Sequence, residues 1–158
     1  MSNTRQFCLF CLVQGIRFKN KKPIKVFMHN IGLFGDTGMV GKEIEKIIRN
    51  HNLVEVGFRQ NSEGSKKTKG DLSICRLVVL ATHPKKSMML AADMLEQGKK
   101  VIDMSGAFRL KNIKDFEKWY YSIKHTHPEL LEQAVYGLPA YFRDEIAIAR
   151  LVAPPGCY

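Results

Sequence analysis

Ile31-Gly32-Leu33-Phe34-Gly35-Asp36-Thr37-Gly38-Met39-Val40-Gly41-Lys42-Glu43-Ile44 is the stretch that decides the fold. Its first four residues are a short apolar run of the kind that forms a buried parallel strand. Val40, Ile44, Ile47 and Ile48 then recur at helical spacing, which predicts a helix over residues 40–50. Between strand and helix stand three glycines, Gly35, Gly38 and Gly41, in the spacing G-x-x-G-x-x-G. A glycine turn in that setting lets the backbone bend sharply and approach a pyrophosphate, whose charge meets the free N–H groups of the helix start. A plain strand-to-helix turn would use glycine too, but the flanking elements favour a dinucleotide. Gly35, Thr37, Gly38, Met39, Val40 and Gly41 are the expected contacts.

Working outward, strand and helix alternate. Residues 53–58 read as a second strand and residues 61–70 as a polar, lysine-rich loop. Residues 76–81 read as a third strand, followed by a helix with Ser87 as its cap, residues 88–97 as its body and Gly98 as its stop. Residues 100–103 form a fourth strand, 115–120, 128–135 and 144–149 short helices, and 151–153 a last strand. The alternation predicts an α/β fold, a Rossmann-like open and mostly parallel sheet with helices on both faces. Ligands of such sheets bind beyond the carboxyl ends of the strands, where Ala81, Thr82 and Pro84 would line the groove.

Composition narrows the class. The 158 residues are 45% apolar, enough for one domain with a core, and no stretch approaches the ~20 apolar residues that span a bilayer. Four cysteines, Cys8, Cys11, Cys75 and Cys157, are too scattered for a disulfide-stapled module, so a reduced, cytoplasmic protein is expected. The net charge of +10 is uneven: residues 1–27 carry six cations and no acid. They read as a basic extension outside the fold, and residues 28–158 as an ordinary domain with no nucleic-acid or membrane partner. A rival reading, a non-catalytic module using residues 1–27 on nucleic acid or an anionic membrane, predicts binding that collapses with salt.

The second strand suggests which dinucleotide. An NAD site places a carboxylate about 20 residues past the glycines, on the ribose hydroxyl. Here Phe58-Arg59-Gln60-Asn61-Ser62 offers a cation and small polar groups instead, with Glu55 inside the strand. Arg59 and Ser62 suit a 2′-phosphate, so NADP(H) is expected; Lys66, Lys67 and Lys69 read as a solvated loop. By itself Cys157 is undecided, because no helix follows it to depress its pKa.

Larger stretches carry a resemblance. IGLFGDTGMVGKEI (31–44), VIDMSGAFRLK (101–111), FEKWY (116–120), HTHPELLEQAVYGLPAYFRDEI (125–146) and ARLVAPPGCY (149–158) resemble the N-acetyl-gamma-glutamyl-phosphate reductase family. The HPELLEQAVYGLP run and the closing PGCY are its most specific parts. The resemblance implies NADPH-dependent reduction of an acyl phosphate in arginine biosynthesis. Cys157 is then the nucleophile that forms a thioester, Ser105 and Arg109 bind substrate or phosphate, and Pro155 and Gly156 shape the turn. It also implies a small-molecule substrate, a homo-oligomeric full-length form, and a second, substrate-binding domain with a catalytic histidine. The expectation is therefore a cofactor-binding half, ending just after the nucleophile and inactive alone. His125 and His127 read as structural or surface groups. Pro154 stands where the family has Asn, and Gly106-Ala107 where it has Ala-Asp, a variant leaning toward aspartate-semialdehyde dehydrogenase, whose thioester chemistry is the same.

Overall fold

A computed structural model of the chain describes residues 28–61 and 68–156. The expectations for Cys8, Cys11, the basic extension, Ser62, Lys66, Lys67 and Cys157 fall outside these residues. Seven strands form one sheet in the order β3-β2-β1-β4-β5-β7-β6. The strands are β1 (His29–Phe34), β2 (Val54–Gln60), β3 (Thr68–Gly70), β4 (Leu77–Leu80), β5 (Lys100–Asp103), β6 (Val135–Tyr136) and β7 (Leu151–Ala153). Every pairing is parallel except β2 with β3. The helices are α1 (Met39–Arg49), α2 (Pro84–Glu96), α3 (Ile113–Trp119), α4 (Glu129–Gln133) and α5 (Pro139–Ile148).

Strand alternation gives the sheet two apolar faces. Ile31, Leu33 and Val79 point to one, where Ile44 and Ile48 of α1 pack on them. Phe34, Val78, Leu80 and Val101 point to the other, against Met88 of α2, Phe116 of α3 and Leu131 of α4. Burying a side chain such as Leu33, Leu80 or Phe116, each fully enclosed, contributes about 1.5–3 kcal/mol. In β2 the alternation breaks. Ile31 pairs with Val56 but Gly32 with Phe58, so Gly57 is an extra residue in the ladder. That bulge turns Phe58 to the face opposite Val54 and Val56, where its ring lies 5.3 Å from that of Phe34.

Several expectations are corrected. Residues 61–70 are not loop throughout, because Thr68–Gly70 pairs antiparallel with β2. Ser87 does not cap α2. The helix begins at Pro84, whose missing N–H costs nothing there, and Ser87 lies buried inside it. The helix expected over 128–135 ends at Gln133, and Val135, with Tyr136, pairs with β7 instead. The helix expected over 144–149 starts earlier, at Pro139, and bends at Phe142. Of the apolar face of α1, only Ile44 and Ile48 pack. Val40 and Ile47 are exposed, Val40 because it sits in the first turn beside the glycines. Gly98, with φ +77°, ends α2 as expected.

Candidate functional site

The parallel strands β1, β4, β5 and β7 bring their carboxyl ends to one edge, and most of the expected residues gather there. Gly35 leaves β1 with φ +85°, and a Cβ on it would strike the carbonyl of Ala81 at the end of β4. A Cβ on Gly41 would strike the carbonyl of Gly35, so this glycine lets α1 close onto the strand. Gly38 differs. A Cβ there would meet nothing nearer than the Gly35 oxygen at 3.4 Å, an ordinary contact, and Gly38 is exposed as the N-cap of α1. Its smallness leaves space in front of the Met39, Val40 and Gly41 amides, which have no acceptor within the helix.

Beside this turn lies a cleft of about 450 Å³ lined by Asp36, Thr37, Glu45, Arg59, Asn61 and Lys69. Two buried acceptors there, Asp36 Oδ1 and Asn61 Oδ1, have no hydrogen-bond partner among the described residues. A buried unpaired acceptor costs about 1–3 kcal/mol, which ribose hydroxyl donors would relieve. Arg59 and Lys69 are paired across β2 and β3 and so share a face. Arg59 Nε donates to Glu45 Oε1 at 2.8 Å and Nη1 to the Val56 carbonyl at 3.2 Å. Glu45 is also approached by Arg49 at 3.4 Å. Residue spacing holds no sign of Glu45, because its link to Arg59 arises only when α1 docks on β2. Lys69, read as part of a solvated loop, stands in β3 at the cleft.

The third group lies at the ends of β4, β5 and β7. Thr82 and Ser87 share a hydrogen bond of 2.8 Å. Asp103, fully buried, accepts from the Ser105 hydroxyl at 2.8 Å and the Ser105 N–H at 3.1 Å. Burial raises its pKa; the Ser105 and Ser87 hydrogen bonds and the Arg109 charge offset this in part. The Ser105 hydroxyl also accepts from the Ala107 N–H at 3.1 Å, so it serves the loop rather than standing free. Arg109 donates from Nε to the Pro154 carbonyl at 2.7 Å and from Nη2 to the Met104 carbonyl at 2.9 Å, and among the described residues Nη1 has no partner. Gly137 packs closely against Pro154; a Cβ there would lie 2.9 Å from the Pro154 Cα. Arg109 and Gly137 thus hold the backbone three residues before Cys157. Gly106, one of the two departures from the family pattern, has its space filled by the Tyr120 hydroxyl, which a Cβ would hit.

His125 is buried and committed at both ring nitrogens. Nδ1 accepts from the His127 N–H at 3.1 Å, so Nε2 carries the proton donated to the Ala107 carbonyl at 3.0 Å. Phe108 and Phe116 meet its ring edge to face. Burial, as the main cause, lowers its pKa. His127 pairs with Glu129 at 3.2 Å and lies outside the strand-end group.

Among the described residues, no helix is long and apolar enough to cross a membrane. The strand order and the glycine turn define a Rossmann-type dinucleotide-binding domain. Residues 30–149 match the family model described as semialdehyde dehydrogenase, NAD binding domain, and the chain belongs to this family, whose cofactor is a nicotinamide dinucleotide. It is 37% identical over 151 residues to a protein of Nitrosomonas europaea named N-acetyl-gamma-glutamyl-phosphate reductase, covering 83% of this chain and 44% of that one. A protein of the same name from Campylobacter jejuni is 40% identical over 147 residues, covering 81% and 42%. The chain therefore spans less than half the length of these relatives. A crystal structure of aspartate semialdehyde dehydrogenase II from Vibrio cholerae, complexed with ASA, shares the fold. Its TM-score is 0.59 at 20% identity, over 82% of this chain and 42% of that one.

Proposed function

We propose that the chain is the cofactor-binding part of an enzyme that reduces N-acetyl-γ-glutamyl phosphate to N-acetylglutamate semialdehyde, with NADPH as reductant and release of phosphate. The observation that carries this reading is the 37–40% identity, over more than four-fifths of the chain, to relatives bearing the reductase name. In this reading the cofactor's diphosphate lies on the α1 amides in front of Gly38, with Thr37, Met39 and Val40 beside it. Its adenosine ribose sits in the cleft of Asp36 and Asn61, and its 2′-phosphate meets Arg59, Lys69 and Ser62. Ala81, Thr82 and Pro84 line the groove toward the nicotinamide.

Cys157 is the nucleophile. Its thiolate attacks the acyl carbon, a C–S bond forms, and phosphate departs with the electrons of the broken C–O bond. When bound, the reduced nicotinamide supplies the hydride that converts the resulting thioester to aldehyde and returns the thiolate. Arg109 acts at two places: through Nε it fixes the Pro154 carbonyl, and through Nη1 it faces the departing phosphate. Asp103 and Ser105 fix the loop between β5 and Arg109. A cytoplasmic location and a homo-oligomeric full-length form belong to the same reading.

Acyl transfer to a thiol needs no turnover, so it tests the chemical half directly. After mixing the chain with N-acetyl-γ-glutamyl phosphate, intact-mass measurement is expected to find one acyl group on Cys157 and none in the Cys157→Ser variant. No adduct, or an equal adduct in the Cys157→Ser variant, would overturn the assignment of Cys157 as nucleophile.

A further inference from the structure

The cleft beside β2 contains a conflict of charges that the cofactor reading leaves unexplained. Arg59 and Lys69 are cross-strand partners, and like charges directly opposite one another destabilise a sheet. Such a pair fits an anion, yet the anion already present is the chain's own Glu45, whose carboxylate accepts from Arg59 Nε at 2.8 Å. The Glu45 side chain is only 18% exposed, and Arg49 partners its second oxygen at 3.4 Å. Arg59 also donates from Nη1 to the Val56 carbonyl, so its guanidinium offers no fully free edge to a second oxyanion. Asp36 and Glu45 are the two acids lining the cleft, against Arg59 and Lys69.

We infer that Glu45 sets the cofactor preference of this site: its carboxylate holds the Arg59 guanidinium within the chain itself and competes there with a 2′-phosphate. The inference rests on the NADP(H) reading above and adds a residue that works against it. A cofactor carrying a 2′-phosphate must share or displace the Glu45–Arg59 pair and bring a dianion close to a carboxylate. One with a bare ribose hydroxyl meets no such opposition. Glu45 therefore narrows the gap between the two cofactors, while Arg59 and Lys69 widen it.

Glu45→Gln separates charge from position, because the amide oxygen still accepts from Arg59 Nε while the negative charge is gone. The experiment is a fluorescence titration of the 158-residue chain with NADPH and with NADH, in wild type, Glu45→Gln, Arg59→Gln and the double variant, with thermal melts to confirm folding. Removing one charge near a dianion in a partly exposed cleft is expected to tighten NADPH about tenfold and NADH much less. In the Arg59→Gln background the same change is expected to give much less. An unchanged or lowered NADPH preference in Glu45→Gln overturns the inference, as does an equal gain with and without Arg59. Arg59→Gln tells the two levels apart. If it leaves the wild-type preference untouched, or if neither cofactor binds, the NADP(H) reading itself fails. If it lowers the preference while Glu45→Gln does nothing, only the role of Glu45 fails. Should Glu45→Gln not fold, Glu45→Ser removes the same charge and faces the same criteria.

Discussion

Arg59 of β2 and Lys69 of β3 stand directly opposite one another in an antiparallel ladder, on the face that carries α1. Two cations in register repel one another, and in the cofactor reading proposed above they meet the 2′-phosphate. Lys69→Gln is therefore expected to raise thermal stability, by about 0.5 kcal/mol, while weakening NADPH several-fold and NADH little. Melting curves and paired titrations check both halves. A loss of stability together with unchanged NADPH affinity would count against an anion site there.

The three glycines of the turn are expected to respond differently to alanine. Gly41→Ala drives a methyl into the Gly35 carbonyl and should cost about 1–3 kcal/mol in chemical denaturation. Gly35→Ala adds the strain of φ +85° to a clash with Ala81 and should cost at least as much. Gly38→Ala meets only an ordinary 3.4 Å contact and should leave stability within about 0.5 kcal/mol. Its methyl would occupy the space in front of the α1 amides, so dinucleotide affinity should fall at least tenfold. Gly38→Ala with normal binding would remove the diphosphate from that turn.

His125 gives the fold a dependence on mild acid. Its folded pKa lies below the ordinary 6.5, so near and below that value the unfolded chain binds more protons than the folded one. Stability is then expected to be full above about pH 6.5 and to fall as the pH drops through the lowered folded value. His125→Gln should remove most of this slope and cost about 1–3 kcal/mol at pH 7.5, because the Ala107 carbonyl and the His127 N–H lose well-placed partners. Denaturation midpoints measured across this pH range decide it.

Asp103 acts with the opposite sign. Its folded pKa is raised above 3.8, so the folded chain holds the proton more tightly. Between these two values, stability is expected to fall as the pH rises, a slope that Asp103→Asn should abolish. The variant also loses a carboxylate acceptor for the Ser105 N–H and hydroxyl. The 105–109 loop and the Arg109 bond to Pro154 should loosen with it, seen as faster hydrogen exchange at Ala107.

Where local pattern and tertiary demand agree, the sequence is a good guide. The runs at β1, β5 and β7 are apolar and short enough to be buried strands, and the Gly35–Gly41 turn is recognisable because strand, glycines and helix come in order. Where a residue's role depends on what docks against it, the sequence is mute. Glu45 reads as one more surface acid of an amphipathic helix until α1 lies on β2. Thr68–Gly70 is too short and polar to show as a strand; the β2 edge organises it, and this moves Lys69 from an apparent loop into the cleft. Ser87 looks like a helix cap because its type suits one, yet Pro84 starts the helix and Ser87 is drawn inward to Thr82. The resemblance suggests Arg109 as a phosphate ligand, whereas its hold on the Pro154 carbonyl needs the sheet to bring β5 and β7 together.

The most direct test of the cofactor assignment is the ratio of dissociation constants for NADPH and NADH on the unmodified chain, set beside the same ratio in Arg59→Gln. Tighter NADPH binding is expected in wild type, with a ratio several-fold closer to one in the variant. Equal affinities in wild type, or tighter NADH, would contradict a 2′-phosphate site at Arg59.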